Sequence, residues 1–175
     1  ANNFDMEKTG PALQLPELLV ILPRLQPRFY SISSSNQISP DEISITVGVL
    51  KTTTSRRVPI DGVCSHYLAG LQAGVDSAKI TVVKSSFRLP ENPSSPIMMV
   101  GAGTGIAPMI GFLEDRALDR KEGLSVGEVN LFFGCRTSKD FIYEDTIKGY
   151  EQDGMIKLHL ALSRAPDTPK KYVQH

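Results

Sequence analysis

Cysteine is scarce: Cys64 and Cys135 are all the chain has. Two are too few for a disulfide framework and too far apart for a metal knuckle. Both are read as reduced packing thiols of an intracellular protein, cytoplasmic, on the cytoplasmic side of a membrane, or in an organelle. Net charge is missing as well, because 19 Lys and Arg balance 19 Asp and Glu. That removes a global basic field for nucleic acid or an anionic membrane and leaves only local basic sites. Long apolar runs are also missing. Leu18–Leu22 and Ile97–Val100 fall far short of the roughly 20 residues a membrane span needs. No basic, apolar leader follows Ala1. There is no internal repeat, and His66, His159 and His175 have no metal-ligand spacing.

What is present is globular: 41% hydrophobic and 22% charged residues in a chain of 175, enough for one ordinary domain or two small ones. Three prolines between Leu89 and Pro96 read as a linker. Before it, a short helix is expected from Pro16, ended by Pro23. The rest of this half reads as β. Arg28–Ser33 and Ile43–Leu50 are rich in β-branched and aromatic residues, and the second alternates Ile43, Ile45, Val47 and Val49 with Ser44, Thr46 and Gly48. Lys79–Val83 and Ser85–Leu89 are further strand candidates.

After the linker the period changes. Ile97–Val100, a helix over Ala107–Lys121, Val129–Phe133, a helix over Asp140–Gln152 and Met155–Ala161 make β-α-β-α-β. That alternation favours a parallel sheet with right-handed crossovers. Parallel sheets want helices on both faces and usually more than three strands, so the chain is expected to be part of a longer polypeptide.

Gly101-Ala102-Gly103-Thr104-Gly105-Ile106-Ala107-Pro108 joins the first parallel strand to its helix, where a doubly wound fold binds phosphate. No Gly-Lys-Ser/Thr follows, which excludes a P-loop, and Ile106 breaks the G-x-G-x-x-G spacing. A tight turn without a ligand is the competing reading. The next strand ends at Arg136, where an ordinary NAD site would want an acid for the ribose hydroxyl. A cation suits an extra phosphate, although a surface Arg is also common there. Ser163-Arg164 follows the third strand, and then Lys170-Lys171-Tyr172-Val173-Gln174. If that last segment is extended, Lys170, Tyr172 and Gln174 share one face. A cation, a flat ring and an amide there suit a phosphorylated ribose and a purine; a solvated basic tail is the alternative. Together these elements favour NADP(H).

In the first half, Arg28 and Tyr30 alternate onto one face of a hydroxyl-rich strand. Arg can pair a diphosphate and Tyr can stack a flat heterocycle, while Ser31 offers a hydroxyl to a ring nitrogen. An edge strand with a snorkelling Arg is the plain alternative. Asp61-Gly62-Val63-Cys64-Ser65 reads as a glycine turn opening a short helix, with backbone N–H groups for a second anion. Two anion sites would suit one flavin dinucleotide and one pyridine dinucleotide.

Leu22 to Ser35, Gly62 to Leu68, Ser86 to Pro90, Gly101 to Pro108, Leu131 to Arg136 and Ser163 to Gln174 occur in order, and together they resemble the diflavin reductases. The resemblance runs over nearly the whole chain from about Leu13. It implies part of a split antiparallel FAD-binding β-barrel followed by part of a doubly wound, parallel-sheet NADP-binding domain, of the ferredoxin–NADP reductase type. The implied division is residues 1–27 as the end of a helical connecting segment, 28–95 as the FAD part and 96–175 as the NADP part. It also implies that Arg28, Tyr30 and Ser31 contact FAD, with Ser31 the catalytic residue near flavin N5. Thr46 and Val47 would flank the flavin, and Gly62, Val63, Cys64 and Ser65 would hold its diphosphate. Gly103 and Thr104 would bind NADPH phosphates beside Arg136. Ser163, Arg164, Lys170, Tyr172 and Gln174 would take the 2′-phosphate and adenosine. The implied reaction is hydride transfer from NADPH to FAD. Electrons would then leave singly to FMN in a separate flavodoxin-like domain and on to an acceptor such as a haem protein. No metal is implied. Ala102 and Met109 replace the family's usual Pro and Phe. A single-flavin reductase of the ferredoxin type without an FMN partner, and a structural module that keeps the fold without turnover, are the rivals.

Overall fold

The structure, a computed structural model, describes residues 14–166 and 169–175. Residues 1–13 of the expected connecting segment 1–27 lie outside the described residues. Helix α1 spans Leu15–Ile21. It starts with Pro16 in its first turn and a capping box in which Gln14 and Glu17 each satisfy the other's backbone, as a first turn with orphan N–H groups requires.

The chain falls into two compact units. One runs to Phe29 and takes in Val49–Ser77; the other joins Tyr30–Gly48 to Ala78–His175. In the first unit, β1 (Lys51–Thr53) and β2 (Pro59–Asp61) form an antiparallel hairpin. The hairpin was not foreseen from the sequence. Its turn is closed by Thr54 N–H to the Val58 carbonyl at 2.8 Å, and Arg57 takes φ 60° where a glycine would have announced the turn. Helix α2 (Val63–Gly70) follows at once, capped by Gly62.

The second unit holds the parallel sheet β3 (Ile97–Ala102), β4 (Val129–Cys135) and β5 (Lys157–Leu162), in that order. Helix α3 (Ala107–Lys121) joins β3 to β4, and α4 (Glu144–Gln152) joins β4 to β5. Side chains alternate along each strand. On one face Met99, Leu131 and Phe133 pack with Ile106, Met109, Ile110 and Leu113 from α3 and its entry turn, and with Ile147 from α4. On the other face Met98 and Val100 are exposed, and Phe132 stacks on His159 at 4.3 Å. Among the described residues, then, the core lies on one side of the sheet. Arg116, 1% exposed, shares the α3 interior and donates from Nη2 to the Ser95 carbonyl at 3.3 Å.

Three expectations change. Arg28–Ser33 and Ile43–Leu50 are not full strands; they meet at one antiparallel bridge, Ile32 to Ile45, with Ser33 N–H donating to the Ser44 carbonyl at 2.8 Å. Lys79–Val83 and Ser85–Leu89 are not strands. A strand exists only where its backbone groups meet a neighbouring ladder, and no neighbour flanks these segments among the described residues. Finally, the helix expected over Asp140–Gln152 is split into a turn at Ser138–Asp140 and α4. Tyr143, at φ 58°, breaks the helical path between them.

Candidate functional site

The C-terminal ends of β3, β4 and β5 open into a cleft of about 530 Å³, lined by Gly103, Arg136, Ser163, Tyr172 and Gln174 among others. This volume is in the range of small-molecule sites. Backbone bonds place its walls. Ser163 N–H donates to the Cys135 carbonyl at 3.0 Å, Arg164 N–H to the Arg136 carbonyl at 2.7 Å, and Lys171 N–H to the Leu162 carbonyl at 3.0 Å. The chain beyond β5 is thus laced to the ends of β4 and β5. Gly103 opens the loop at φ 52°, a left-handed conformation suited to glycine. The loop continues as a 3₁₀ turn, Gly103–Ile106, that runs straight into α3.

Five residues assigned from the sequence, Gly103, Arg136, Ser163, Tyr172 and Gln174, are brought together here. Lys170 reaches the same cluster from the side, its Nζ 4.8 Å from the centre of the Tyr172 ring. The extended face expected for Lys170, Tyr172 and Gln174 is not what forms. A turn closes with His175 N–H on the Tyr172 carbonyl at 3.0 Å, and Lys171, Tyr172, Val173 and Gln174 all line the cleft. Arg164 and Thr104 are exposed and are not among the lining residues.

Asp140 also lines the cleft and was missed from the sequence. It pairs with Arg136 Nη2 at 2.5 Å and accepts from Thr137 Oγ1 at 2.7 Å and Thr137 N–H at 3.0 Å. The Thr137 hydroxyl, then the Arg136 guanidinium, hold its carboxyl below the usual range, since both favour the ionised form. The four-residue spacing from Arg136 to Asp140 was the available clue. Burial pushes the neighbouring Cys135 thiol up, which suits a packing thiol. Both cysteines are free.

Within the same unit, Tyr30 is half-buried and Ser31 is exposed, next to the buried Ser33. Thr46 and Val47 are half-buried, and this segment passes the glycine loop. A Cβ placed on Gly48 would be 3.5 Å from Thr104 Cγ2. The segment also rests on α3. Ser35 N–H donates to Glu114 Oε2 at 2.6 Å, the Ser35 hydroxyl donates to Asp115 Oδ1, and the position of a Cβ on Gly111 lies 3.1 Å from the Ser34 carbonyl oxygen.

In the other unit Arg28 is exposed. Gly62 caps α2, so the N–H groups of Val63, Cys64 and Ser65 lack intrahelical acceptors. The Ser65 hydroxyl is committed inward, donating to the Gly62 carbonyl and accepting from Leu50 N–H, both at 3.1 Å. Only its backbone remains for a ligand. His66 is likewise turned to the loop, its Nδ1 3.2 Å from the Gly62 carbonyl.

The cleft offers groups that suit a phosphorylated nucleotide, the Lys171 ammonium, the Ser163 hydroxyl, the Gln174 amide and the Tyr172 ring, beside an Arg136 guanidinium that is paired with the Asp140 carboxylate. The loop geometry fits an anion near Gly103. Among the described residues no group of His, Cys, Asp and Glu is arranged to hold a metal, and no helix is long and apolar enough to cross a membrane.

Residues 6–67 match the family model described as FAD binding domain, and residues 99–175 match that described as oxidoreductase NAD-binding domain. The bifunctional cytochrome P450/NADPH–P450 reductase 1 of Bacillus subtilis is 48% identical, over 98% of this chain and 17% of its own length. NADPH–cytochrome P450 reductase of Drosophila melanogaster is 45% identical over 89% of this chain and 23% of its own length. The human reductase of that name is 40% identical, with 94% of this chain and 26% of its own length covered. The chain thus spans about a quarter or less of these relatives.

Proposed function

We propose, for a chain that belongs to the diflavin reductase family with an FAD binding domain followed by an oxidoreductase NAD-binding domain, that it is the FAD- and NADPH-binding part of an NADPH-dependent flavoprotein reductase. The division into residues 1–27, 28–95 and 96–175 is part of this reading. So are a split β-barrel for FAD and a doubly wound sheet for NADP. When both are bound, the cofactors supply the chemistry, a hydride passing from the nicotinamide to flavin N5. Electrons then leave singly, to FMN in a flavodoxin-like domain and on to an acceptor such as a haem protein.

The chain's own residues bind and orient. Arg164 and Lys170 supply cations for a 2′-phosphate, with Ser163 and Gln174 as hydrogen-bond partners and Tyr172 as a stacking surface. Gly103 and Thr104 receive the diphosphate, and Arg136 lends charge when released from Asp140. Arg28 and the N–H groups of Val63, Cys64 and Ser65 after Gly62 hold the FAD diphosphate. Tyr30, Thr46 and Val47 frame the flavin, and Ser31 donates a hydrogen bond toward N5.

The observation that carries this reading is the convergence of Gly103, Arg136, Ser163, Tyr172 and Gln174 on one cleft at the strand ends. It is tested by replacing Arg164 and Lys170 with Ala. NADPH affinity is expected to fall about tenfold or more, as for lost charge-assisted bonds, with NADH affinity little changed. An equal loss for both nucleotides contradicts a 2′-phosphate role.

A further inference from the structure

Tyr143 stands at φ 58° immediately before α4. A bulky aromatic persists in the left-handed region only where its surroundings over-determine it. Two sets of contacts do so here. Its ring packs against the α/β core. Its phenol oxygen lies 2.6 Å from Thr46 Oγ1 and donates to Ser33 Oγ at 3.3 Å. With the phenol proton given to Ser33, the phenol oxygen accepts the Thr46 proton, and all three hydroxyls are used.

Ser33 and Thr46 sit on the two segments joined by the Ile32–Ile45 bridge. That pairing is a single bridge, of which Ser33 N–H to the Ser44 carbonyl is one bond, with Ser44 N–H on Ser34 Oγ at 3.0 Å beside it. Ser35 adds bonds to α3 on one side only, whereas the phenol reaches both segments at once. Ser31 shares a face with Ser33 by alternation, and Val47 follows Thr46. The phenol therefore ties down both segments next to the residues assigned to the flavin, from the start of α4.

We propose that Tyr143 is a positioning residue. Its hydroxyl clasps the Ser31 and Thr46 segments to the α/β core and so sets where they stand beside the glycine loop. The flavin side of this statement rests on the function proposed above; the clasp itself does not.

The test uses Tyr143→Phe, which keeps the ring and removes the hydroxyl, and Thr46→Val, which removes the shorter bond from its other end. In the FAD-loaded protein, stopped-flow flavin bleaching by NADPH should slow about three- to tenfold, with half-saturation by NADPH unchanged. The visible circular dichroism of the flavin should change. The double variant should be no slower than either single one, because both lose the same bond. In FAD-free protein, amide exchange at Ser33 should rise about tenfold while β4 keeps its protection.

Wild-type bleaching and wild-type exchange in Tyr143→Phe would overturn the proposal. So would additive effects, or loss of protection across β4, which would mark a purely structural role. If Tyr143→Phe fails to fold, Thr46→Val alone decides by the same readouts. A wild-type protein that takes up no FAD refutes the function but not the clasp, which the exchange measurement then judges by itself.

Discussion

The two stretches on either side of the proline-rich linker differ in what they bury. Among the described residues every buried apolar side chain lies between Met99 and Ala161. Before residue 96 the buried side chains are Ser33, Ser35 and Ser65, yet that stretch is not short of apolar residues. Ile80 is 71% exposed, Val82 61% and Phe29 82%. Hydrophobicity is therefore not what separates the two. In the β-α-β-α-β stretch each helix is delivered by its own crossover onto the strands beside it, so a second layer is always at hand. In the earlier stretch the strand-like residues meet one bridge and one short hairpin. What packs on them is local, α3 at Ser34 and Ser35 and Tyr143 at Ser33 and Thr46, rather than a full second layer.

The sharpest way to break this contrast is a matched pair of truncations. Leu113, fully buried in α3, should cost about 2–5 kcal/mol as Leu113→Ala, the range for a core cavity. Ile45, from the alternating segment and 39% exposed, should cost less than about 1 kcal/mol as Ile45→Ala. Urea denaturation of both variants decides. Similar losses would mean that the Ile45 segment is as well packed as α3.

A smaller effect probes the place where the stretches touch inside one unit. Gly111 lets the Ser34 carbonyl come within 3.1 Å of where a Cβ would be. Gly111→Val brings branched atoms against that backbone and is expected to cost about 1–3 kcal/mol by overpacking, despite the better helix propensity of Val. Exchange at Ser35 N–H, which donates to Glu114, should quicken with it. A stabilised variant would show that helix propensity outweighs the contact and that the Ser33–Ser35 segment can move aside freely.

How far the sequence speaks follows the same division. The boundaries of α3 and the alternation that makes β3, β4 and β5 a parallel sheet were legible because apolar periodicity there coincides with local partners. Pro108, the glycines and Arg136 marked the cleft for the same reason. The strands expected over Lys79–Val83 and Ser85–Leu89 failed because period 2 reports only a capacity to pair. Asp140 and Tyr143 went unread for a different cause. Asp140 acts through a pairing four residues back, and Tyr143 through a hydroxyl contact 97 residues away with Thr46; no local pattern carries the second.

The weakest effect lies on the well-packed side and tests whether the Asp140–Arg136 pair belongs to the fold. The Thr137 hydroxyl and Arg136 hold the Asp140 carboxyl below the ordinary Asp value of 3.8. The folded protein thus prefers the ionised form more than the unfolded chain does. Its contribution to stability is present above the ordinary value and is lost as pH falls through the lower folded value. Asp140→Asn keeps the side-chain shape and removes the charge. Thermal melts from about pH 6 down to about pH 2 should show the variant less stable at the upper end, with the gap closing as acid protonates the wild-type carboxylate. Because the pair stands in solvent and salt screens it, the gap should also shrink in high salt. A gap that ignores both pH and salt would assign Asp140 to packing, and Arg136 would then be free to meet an anion at all times.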